Sequence, residues 1–204
     1  MVAIIDYGVG NLFSLLSSLK AVGAEAEVTS DPEKIKRADK LILPGVGAFK
    51  DAIDKLKKDG LDKLICEEAA SGKPLLGICL GMQLLFEKSF EFGEHKGLGL
   101  IPGEVIAMKG KIPEDLKIPH IGWNALELKN DCPIFKGIKN GDAVYFVHSF
   151  YASGCGPYVT ATTEYGIEIT AAAANKNVYG CQFHPEKSGA VGLQILSDFC
   201  NLNE

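Results

Sequence analysis

The amino-terminal half of the sequence alternates short apolar runs with amphipathic stretches, and this alternation limits the possible folds more than any other feature. Apolar runs of four or five residues bounded by turns are typical of buried strands, and leucines at helical spacing behind Asn11 are typical of a capped helix. Strands that alternate with helices form mainly parallel sheets covered on both faces. The predicted strands are residues 2–5, 25–28, 41–44 and 74–78, and the predicted helical regions include residues 12–22 and 51–71.

From about residue 97 the sequence becomes β-rich. Short apolar and β-branched segments are separated by Gly, Asn, Lys and Pro turns, which favours antiparallel pairing. We expect these segments to extend the same sheet, and we expect a final helix at residues 188–202. The sequence therefore predicts one α/β domain over residues 1–204, with a mainly parallel, partly mixed central sheet flanked by helices. The β-rich segments are residues 104–108, 143–150, 158–164, 167–174 and 178–183.

The overall charge and hydropathy exclude several classes of partner. The chain has 21 Lys and Arg residues against 26 Asp and Glu residues, and its net charge of −5 provides no basic surface for nucleic acid or anionic lipid. No apolar stretch approaches the roughly 20 residues that cross a membrane. The amino terminus has neither a basic leader nor a cleavage site. We expect a soluble, cytoplasmic protein.

Six cysteines are spread along the chain without a C-x-x-C pair or a histidine at metal-ligand spacing, which predicts no metal site. A chain of this size with a large apolar core needs no disulfides. Each cysteine is therefore expected to be a small buried apolar residue unless its surroundings indicate otherwise. The cysteines are Cys66, Cys79, Cys132, Cys155, Cys181 and Cys200.

The sequence around Cys79 indicates a catalytic cysteine rather than a buried packing residue. The segment Gly77-Ile78-Cys79-Leu80-Gly81 joins an apolar strand to a helix-forming run, as in the cysteine version of a nucleophile elbow. The two glycines allow a sharp turn, and a helix amino terminus behind the sulfur favours the thiolate. The N–H of Leu80 is a candidate oxyanion donor. A cysteine that merely packs between a strand and a helix is the alternative.

A thiolate nucleophile needs a proton carrier, and His184 is the best candidate among the four histidines. His184 follows an apolar strand and precedes Pro185 and Glu186, and in an extended backbone His184 and Glu186 would share one side. Glu186 could then orient the imidazole as the third member of a triad. A surface turn is the alternative. His95 lies in a charged stretch, and His148 fits a structural or substrate-lining role better than that of the base.

Together with the elbow, the H-P-E sequence resembles the class I glutamine amidotransferases, which have a flavodoxin-like α/β core and a Cys-His-Glu triad. Within that family, the sequence is most similar to the glutaminase subunits of imidazole glycerol phosphate synthases. The opening D-Y-G-x-G-N and the H-P-E-K-S segment are the most specific features. The matching segments are DYGVGNLFS at 6–14, PGVGAF at 44–49, GICLGMQLLF at 77–86, GLGLIPG at 97–103, HIGWN at 120–124, YFVHSFY at 145–151 and QFHPEKS at 182–188.

The resemblance implies roles for four further residues. The backbone of Val46 and Gly47 would complete an oxyanion hole with Leu80, and Gly45 and Gln83 would bind glutamine. Glycines on both sides of Val46 permit a peptide to reorient. A phosphate-binding loop is the competing interpretation, but neither G-V-G segment has the third glycine of a dinucleotide fingerprint.

The resemblance also implies an activity and a partner. The chain would hydrolyse glutamine through a thioester, without a cofactor, and pass ammonia to a cyclase subunit that makes imidazole glycerol phosphate and an aminoimidazole carboxamide ribotide in histidine biosynthesis. Trp123, Asn124 and Lys187 are the candidate interface residues, although Trp123 could equally be a core residue. The alternatives are an amidotransferase of another pathway, an elbow-cysteine hydrolase or peptidase, and a non-catalytic binding subunit.

Overall fold

The computed structural model describes residues 1–202, so the last two residues of the predicted domain, 203 and 204, lie outside the described residues. It contains fourteen strands and six α-helices within that range. None of the helices between residues 1 and 202 is long and apolar enough to cross a membrane.

The strands are β1 Val2–Ile5, β2 Ala26–Thr29, β3 Lys40–Leu43, β4 Leu75–Ile78, β5 Phe86–Ser89, β6 His95–Lys96, β7 Ile101–Ala107, β8 His120–Ala125, β9 Glu127–Leu128, β10 Ala143–His148, β11 Phe150–Ser153, β12 Val159–Glu164, β13 Glu168–Asn175 and β14 Val178–Cys181. The helices are α1 Leu12–Ala21, α2 Pro32–Arg37, α3 Phe49–Lys58, α4 Leu61–Ala70, α5 Leu80–Leu84 and α6 Gly189–Cys200.

The central sheet has eight strands in the order β2-β1-β3-β4-β14-β13-β12-β9. The five strands from β2 to β14 pair in parallel, and β13, β12 and β9 extend the sheet in antiparallel fashion. The predicted fold class, a mainly parallel and partly mixed sheet flanked by helices, is confirmed. The strand order reverses at β1, because β2 lies on one side of it and β3 on the other.

Both faces of this sheet are covered, as the near-continuous apolar strands predict. Along β1, Ala3 and Ile5 face the core that contains α2, α3, α4 and α5, and Val2 and Ile4 face the core that contains α1 and α6. The predicted cap of α1 is present, because the side chain of Asn11 accepts a hydrogen bond from the N–H of Ser14 at 3.4 Å.

The helical region predicted at residues 51–71 is two helices, α3 and α4. Gly60 separates them in the left-handed conformation, with φ +71°. A residue at that φ cannot continue a right-handed helix, and glycine adopts it at little cost. The final helix is also shorter than the predicted 188–202, since it runs from Gly189 to Cys200.

The expectation that all the β-rich segments extend one sheet is wrong for two of them. The segment at 104–108 contributes to β7, which belongs to a second sheet of order β11-β7-β5-β6. The segment at 143–150 forms β10, which pairs only with β8 in a two-stranded ribbon, and then begins β11. Strand pairing partners are non-local, so local alternation identifies strands without assigning them to a sheet.

The sheet places the carboxyl ends of its parallel strands along one edge. Residues 44–47 follow β3, Cys79 follows β4 and His184 follows β14 by three residues. Ligands of open α/β sheets bind outside this edge, next to the point where the strand order reverses. The three predicted groups of site residues are therefore neighbours.

Gly81 determines how closely α5 approaches β3, and it provides a stability test. A Cβ built on Gly81 would lie 1.8 Å from the carbonyl oxygen of Leu43. We expect Gly81→Ala to lower the free energy of unfolding by about 3 kcal/mol or to prevent folding, because the clash is with backbone. Gly156→Ala is the control, since its Cβ would meet nothing within 4 Å. Urea denaturation measures both, and equal stability of the two variants would contradict this packing.

Candidate active site

Cys79 occupies the sharp turn between β4 and α5 in a strained conformation. Its φ of +55° and ψ of −110° are rare for a residue with a side chain, and such strain occurs preferentially at functional sites. A Cβ on Gly77 would lie 2.7 Å from the carbonyl oxygen of Gly81, so the turn can close only with glycine there. The strand-to-helix turn predicted from G-x-C-x-G is present.

The sulfur of Cys79 is mostly enclosed, with 7% of the residue exposed. Its Sγ lies 3.9 Å from the carbonyl oxygen of Val147 and 3.8 Å from Nε2 of Gln182. Because α5 begins at Leu80, its first N–H groups have no acceptor inside the helix and are oriented toward the turn. Donors suited to an oxyanion therefore lie next to the sulfur.

His184 and Glu186 form a buried pair. Nδ1 of His184 lies 2.8 Å from Oε1 of Glu186, and the two side chains are 3% and 4% exposed. The extended backbone expected here is wrong: Pro185–Lys187 forms a 3₁₀ turn, which nevertheless brings the two side chains together. Nε2 of His184 and Oε2 of Glu186 have no hydrogen-bond partner within residues 1–202.

The charges around His184 favour its protonated form. Burial lowers the pKa of His184, but hydrogen bonding and charge interaction with Cys79 and Glu186 together outweigh burial and raise it to about 9. Nε2 of His184 makes no hydrogen bond within residues 1–202, so we attribute the influence of Cys79 on this pKa to its charge. The neighbouring Glu186 and Cys79 therefore favour the imidazolium form of His184.

A pocket of about 420 Å³ joins most of the predicted residues. Val46, Gly47, Cys79, Leu80 and Gln83 line it together with His184. Glu186 and Gly45 do not line the pocket. Glu186 contacts Nδ1 of His184, and Gly45 is enclosed by Tyr7, Leu80 and Gly81. The remaining lining residues are Glu91, Phe92, Pro119, Val147, His148, Ser149 and Phe150.

Gln83 is buried in the pocket wall rather than solvated. Its Nε2 donates hydrogen bonds to the carbonyl oxygen of Phe150 and to Oε1 of Gln182, both at 3.0 Å. The side-chain nitrogen of Gln83 is therefore engaged by acceptors of the protein itself. A role in substrate binding stays a prediction.

Sequence reasoning missed Glu91, a carboxylate that is 9% exposed and lines the pocket. Its Oε2 accepts a hydrogen bond from the N–H of Phe49 at 2.6 Å and so caps α3 from a distant loop. Within the charged stretch around His95, Glu91 looks like a solvated residue. No local signal distinguishes it, because the cap is formed by residues 42 positions apart.

His148 belongs to a hydrogen-bonded group on the other side of the pocket. Its Nε2 lies 3.1 Å from Nδ1 of His120, and its Nδ1 lies 2.9 Å from the carbonyl oxygen of Phe150. Burial lowers the pKa of His148 to about 4, although the Phe150 carbonyl opposes that effect. A neutral, fully engaged imidazole is consistent with a substrate-lining role.

The predicted interface residues do not all share a surface. Trp123 is 55% exposed, so it is not a core residue, and its ring lies 6.1 Å from that of Tyr145. Nζ of Lys187 lies 5.8 Å from the centroid of the same Tyr145 ring. Asn124 faces inward instead, and its side chain contacts Nε2 of His120 at 2.8 Å and the carbonyl oxygen of Glu164 at 3.0 Å.

Comparisons with known proteins agree with this geometry. The family model "Glutamine amidotransferase class-I" matches residues 3–202. The chain is 56% identical to imidazole glycerol phosphate synthase subunit HisH of Caldanaerobacter subterraneus subsp. tengcongensis, over 98% of this chain and 97% of the relative. It is 50% identical to the HisH subunit of Wolinella succinogenes, over 99% of this chain and all of the relative. The solved structure of PurLQS from Thermotoga maritima has a similar fold, with a TM-score of 0.77, 20% identity and coverage of 98% of this chain and 97% of that chain.

The raised pKa of His184 predicts a pH dependence of stability. The folded-state pKa of about 9 lies above the unfolded value of roughly 6.5, so the contribution is complete below roughly pH 6.5 and is lost as the pH rises through about 9. We expect the difference in free energy of unfolding between wild type and His184→Asn to shrink over that range. Urea denaturation at several pH values measures it, and a constant difference would contradict the raised pKa.

Proposed function

The chain belongs to the class I glutamine amidotransferase family, and on this basis we propose that it is the glutaminase subunit of an imidazole glycerol phosphate synthase, acting in histidine biosynthesis. The observation that carries the proposal is that Cys79, in its strained turn, and His184 line the same pocket. Glu186 contacts the Nδ1 atom of His184. The HisH relatives match this chain over nearly its whole length. We propose that the enzyme works in the cytoplasm.

In the proposed reaction the Cys79 thiolate attacks the side-chain amide carbon of glutamine and forms a tetrahedral oxyanion. When that intermediate collapses, the C–N bond breaks and His184 gives its proton to the departing ammonia, leaving a glutamyl thioester. His184, now neutral, takes a proton from water as the water attacks the thioester. The products are glutamate and the regenerated cysteine.

Glu186 controls which nitrogen of His184 takes part. The carboxylate accepts a hydrogen bond from Nδ1–H at 2.8 Å, which leaves Nε2 directed to the pocket as the atom that gives and takes the proton. The lack of another partner for Nε2 among the described residues keeps it available. Glu186 therefore orients the base and stabilises its charged form.

The oxyanion would be held by N–H groups from two segments. Leu80 supplies one at the start of α5, and the Val46–Gly47 region, which follows β3 and lines the same pocket, supplies the other. Gly47 has φ +95°, so its backbone adopts a conformation that favours glycine. This glycine lets the peptide before it reorient.

The pocket also suits the amino-acid end of glutamine. Glu91 presents a buried carboxylate to the pocket, which is complementary to the ammonium group of the substrate. Gln83 lines the same pocket, and its side-chain oxygen can accept a hydrogen bond from the substrate. Charge and hydrogen bonding thus orient the substrate with its amide toward Cys79.

Ammonia released in this pocket is passed to a cyclase subunit, which makes imidazole glycerol phosphate and an aminoimidazole carboxamide ribotide. Trp123 and Lys187 are exposed and both lie near the half-buried ring of Tyr145, and we assign the surface formed by these three residues to the cyclase contact. Asn124, whose side chain is engaged inside the chain, is proposed to support the ribbon that carries Trp123 rather than to touch the partner.

Glutamate release from glutamine tests the proposed activity. We expect release to increase strongly when the cyclase subunit and its ribonucleotide ligand are added, and Cys79→Ala to abolish it because the thioester cannot form. Cys66→Ala is the matched control, since Cys66 lies on α4 away from the pocket and is expected to leave the activity unchanged. Release that persists in Cys79→Ala would remove Cys79 from the mechanism.

The surface around Trp123 predicts the strength of the complex. Aromatic residues near the centre of an interface often contribute a large part of the binding free energy. Trp123→Ala is therefore expected to weaken binding of the cyclase subunit by about 10-fold or more. Arg37→Ala, an exposed position at the end of α2, is the control. Isothermal titration calorimetry measures both affinities, and an unchanged affinity for Trp123→Ala would place the interface elsewhere.

A further inference from the structure

Tyr7 is a buried tyrosine that the proposed mechanism does not use. It follows β1, is 5% exposed, and its hydroxyl donates a hydrogen bond of 2.7 Å to the carbonyl oxygen of Pro44. Pro44 begins the segment that follows β3 and leads to Val46 and Gly47. The phenol therefore contacts the first peptide of the proposed oxyanion loop, residues 44–47.

A hydrogen bond to that carbonyl orients the whole peptide. In a trans peptide the C=O and N–H groups point in opposite directions in one plane. Holding the Pro44 oxygen toward Tyr7 therefore turns the Gly45 N–H away from Tyr7. Pro44 itself has a fixed φ, so the entry into the loop has little freedom left.

The packing around Gly45 shows how closely the loop is held. A Cβ on Gly45 would lie 2.7 Å from the Tyr7 hydroxyl, 3.0 Å from Cβ of Leu80 and 3.0 Å from the nitrogen of Gly81. Gly45 is thus enclosed between the phenol on one side and the start of α5 on the other. Gly47, with φ +95°, has nothing within 4 Å of its built Cβ. The loop is therefore tightly packed at Gly45, where it begins, and has free space around Gly47.

The hydroxyl remains a donor at every pH at which the enzyme would work. Burial raises the pKa of Tyr7, and the nearby Cys79 charge raises it further. A phenol that stays protonated keeps its hydrogen bond to Pro44. The position of Tyr7 also suits this task, since β1 and β3 are adjacent parallel strands at the point where the strand order reverses.

We propose that Tyr7 is a positioning residue that anchors the Pro44–Gly45 peptide against the elbow, so that reorientation of the oxyanion loop is confined to the two peptides that flank Val46. The inference rests on the proposed glutaminase function and adds a residue outside the triad and the oxyanion hole. Tyr7 touches neither the substrate nor the reacting atoms in this account. It acts through the loop that supplies an oxyanion donor.

Tyr7→Phe tests the proposal with little change in volume. The ring keeps its apolar contacts and only the hydrogen bond is lost, so the loop entry is released while the pocket stays intact. We expect kcat for glutamine hydrolysis, measured in the complex with the cyclase subunit and its ligand, to fall on the order of 10-fold because a misplaced donor stabilises the oxyanion less well. The KM for glutamine should change less than about twofold, since uniform binding is unaffected.

Alkylation of Cys79 by iodoacetamide separates positioning from general damage. That reaction needs the thiolate but forms no oxyanion, so its rate in Tyr7→Phe should equal that of wild type. Tyr179→Phe is the matched control: Tyr179 is a buried tyrosine on β14, next to β4, that packs on Phe199 in the other core. It is expected to leave kcat unchanged.

A double-variant cycle gives an independent readout. In Gly45→Ala the new methyl group would meet the Tyr7 hydroxyl at 2.7 Å, and Tyr7→Phe removes that atom. The loss in kcat of the double variant should therefore be smaller than the product of the two single losses. Multiplicative losses would overturn the proposal.

The outcomes distinguish the inference from the function on which it rests. An active wild type with an equally active Tyr7→Phe, or a Tyr7→Phe that loses kcat and alkylation together, would overturn the inference alone. A wild type without glutaminase activity under any condition, including the complete complex, would overturn the proposed function and the inference with it.

Discussion

The close approach of two backbones, at Gly81 in α5 and Leu43 at the end of β3, is the contact on which the site depends. A Cβ on Gly81 would lie 1.8 Å from the Leu43 carbonyl oxygen, so the helix can start where it does only because this position is glycine. The contact brings the Cys79 turn against the loop that follows β3. Two donors from different parts of the chain can then serve one oxyanion.

The strain at Cys79 is held by the two cores that enclose the central sheet. A residue with a side chain at φ +55° costs stability, and the buried strands β4 and β14 on which the turn is built offset that cost. Because the elbow is fixed on both sides, the sulfur has little freedom to move. The fixed position of Cys79, the proposed nucleophile, and the open surroundings of Gly47 divide the candidate site into a rigid part and a part that has room to move.

Much of the site was predictable because strand ends are local features. The apolar runs before Cys79 and His184 placed both residues at the carboxyl edge of a parallel sheet, where they line one pocket. Glu91 could not be found this way, because its position depends on capping a helix 42 residues away. The inward-facing side chain of Asn124 and the separate pairing of β10 are likewise outcomes of long-range contacts. Local periodicity identifies an element and its buried face, but not its neighbour.

The central claim is that glutamine hydrolysis passes through a covalent intermediate on Cys79. The most direct measurement is mass spectrometry of protein in complex with the cyclase subunit, quenched with acid during turnover and digested for peptide mapping. The account predicts an added glutamyl group on the peptide that contains Cys79, lost on treatment with hydroxylamine, which cleaves thioesters. A glutamyl adduct on another cysteine, or the same adduct yield and turnover in Cys79→Ala, would contradict it.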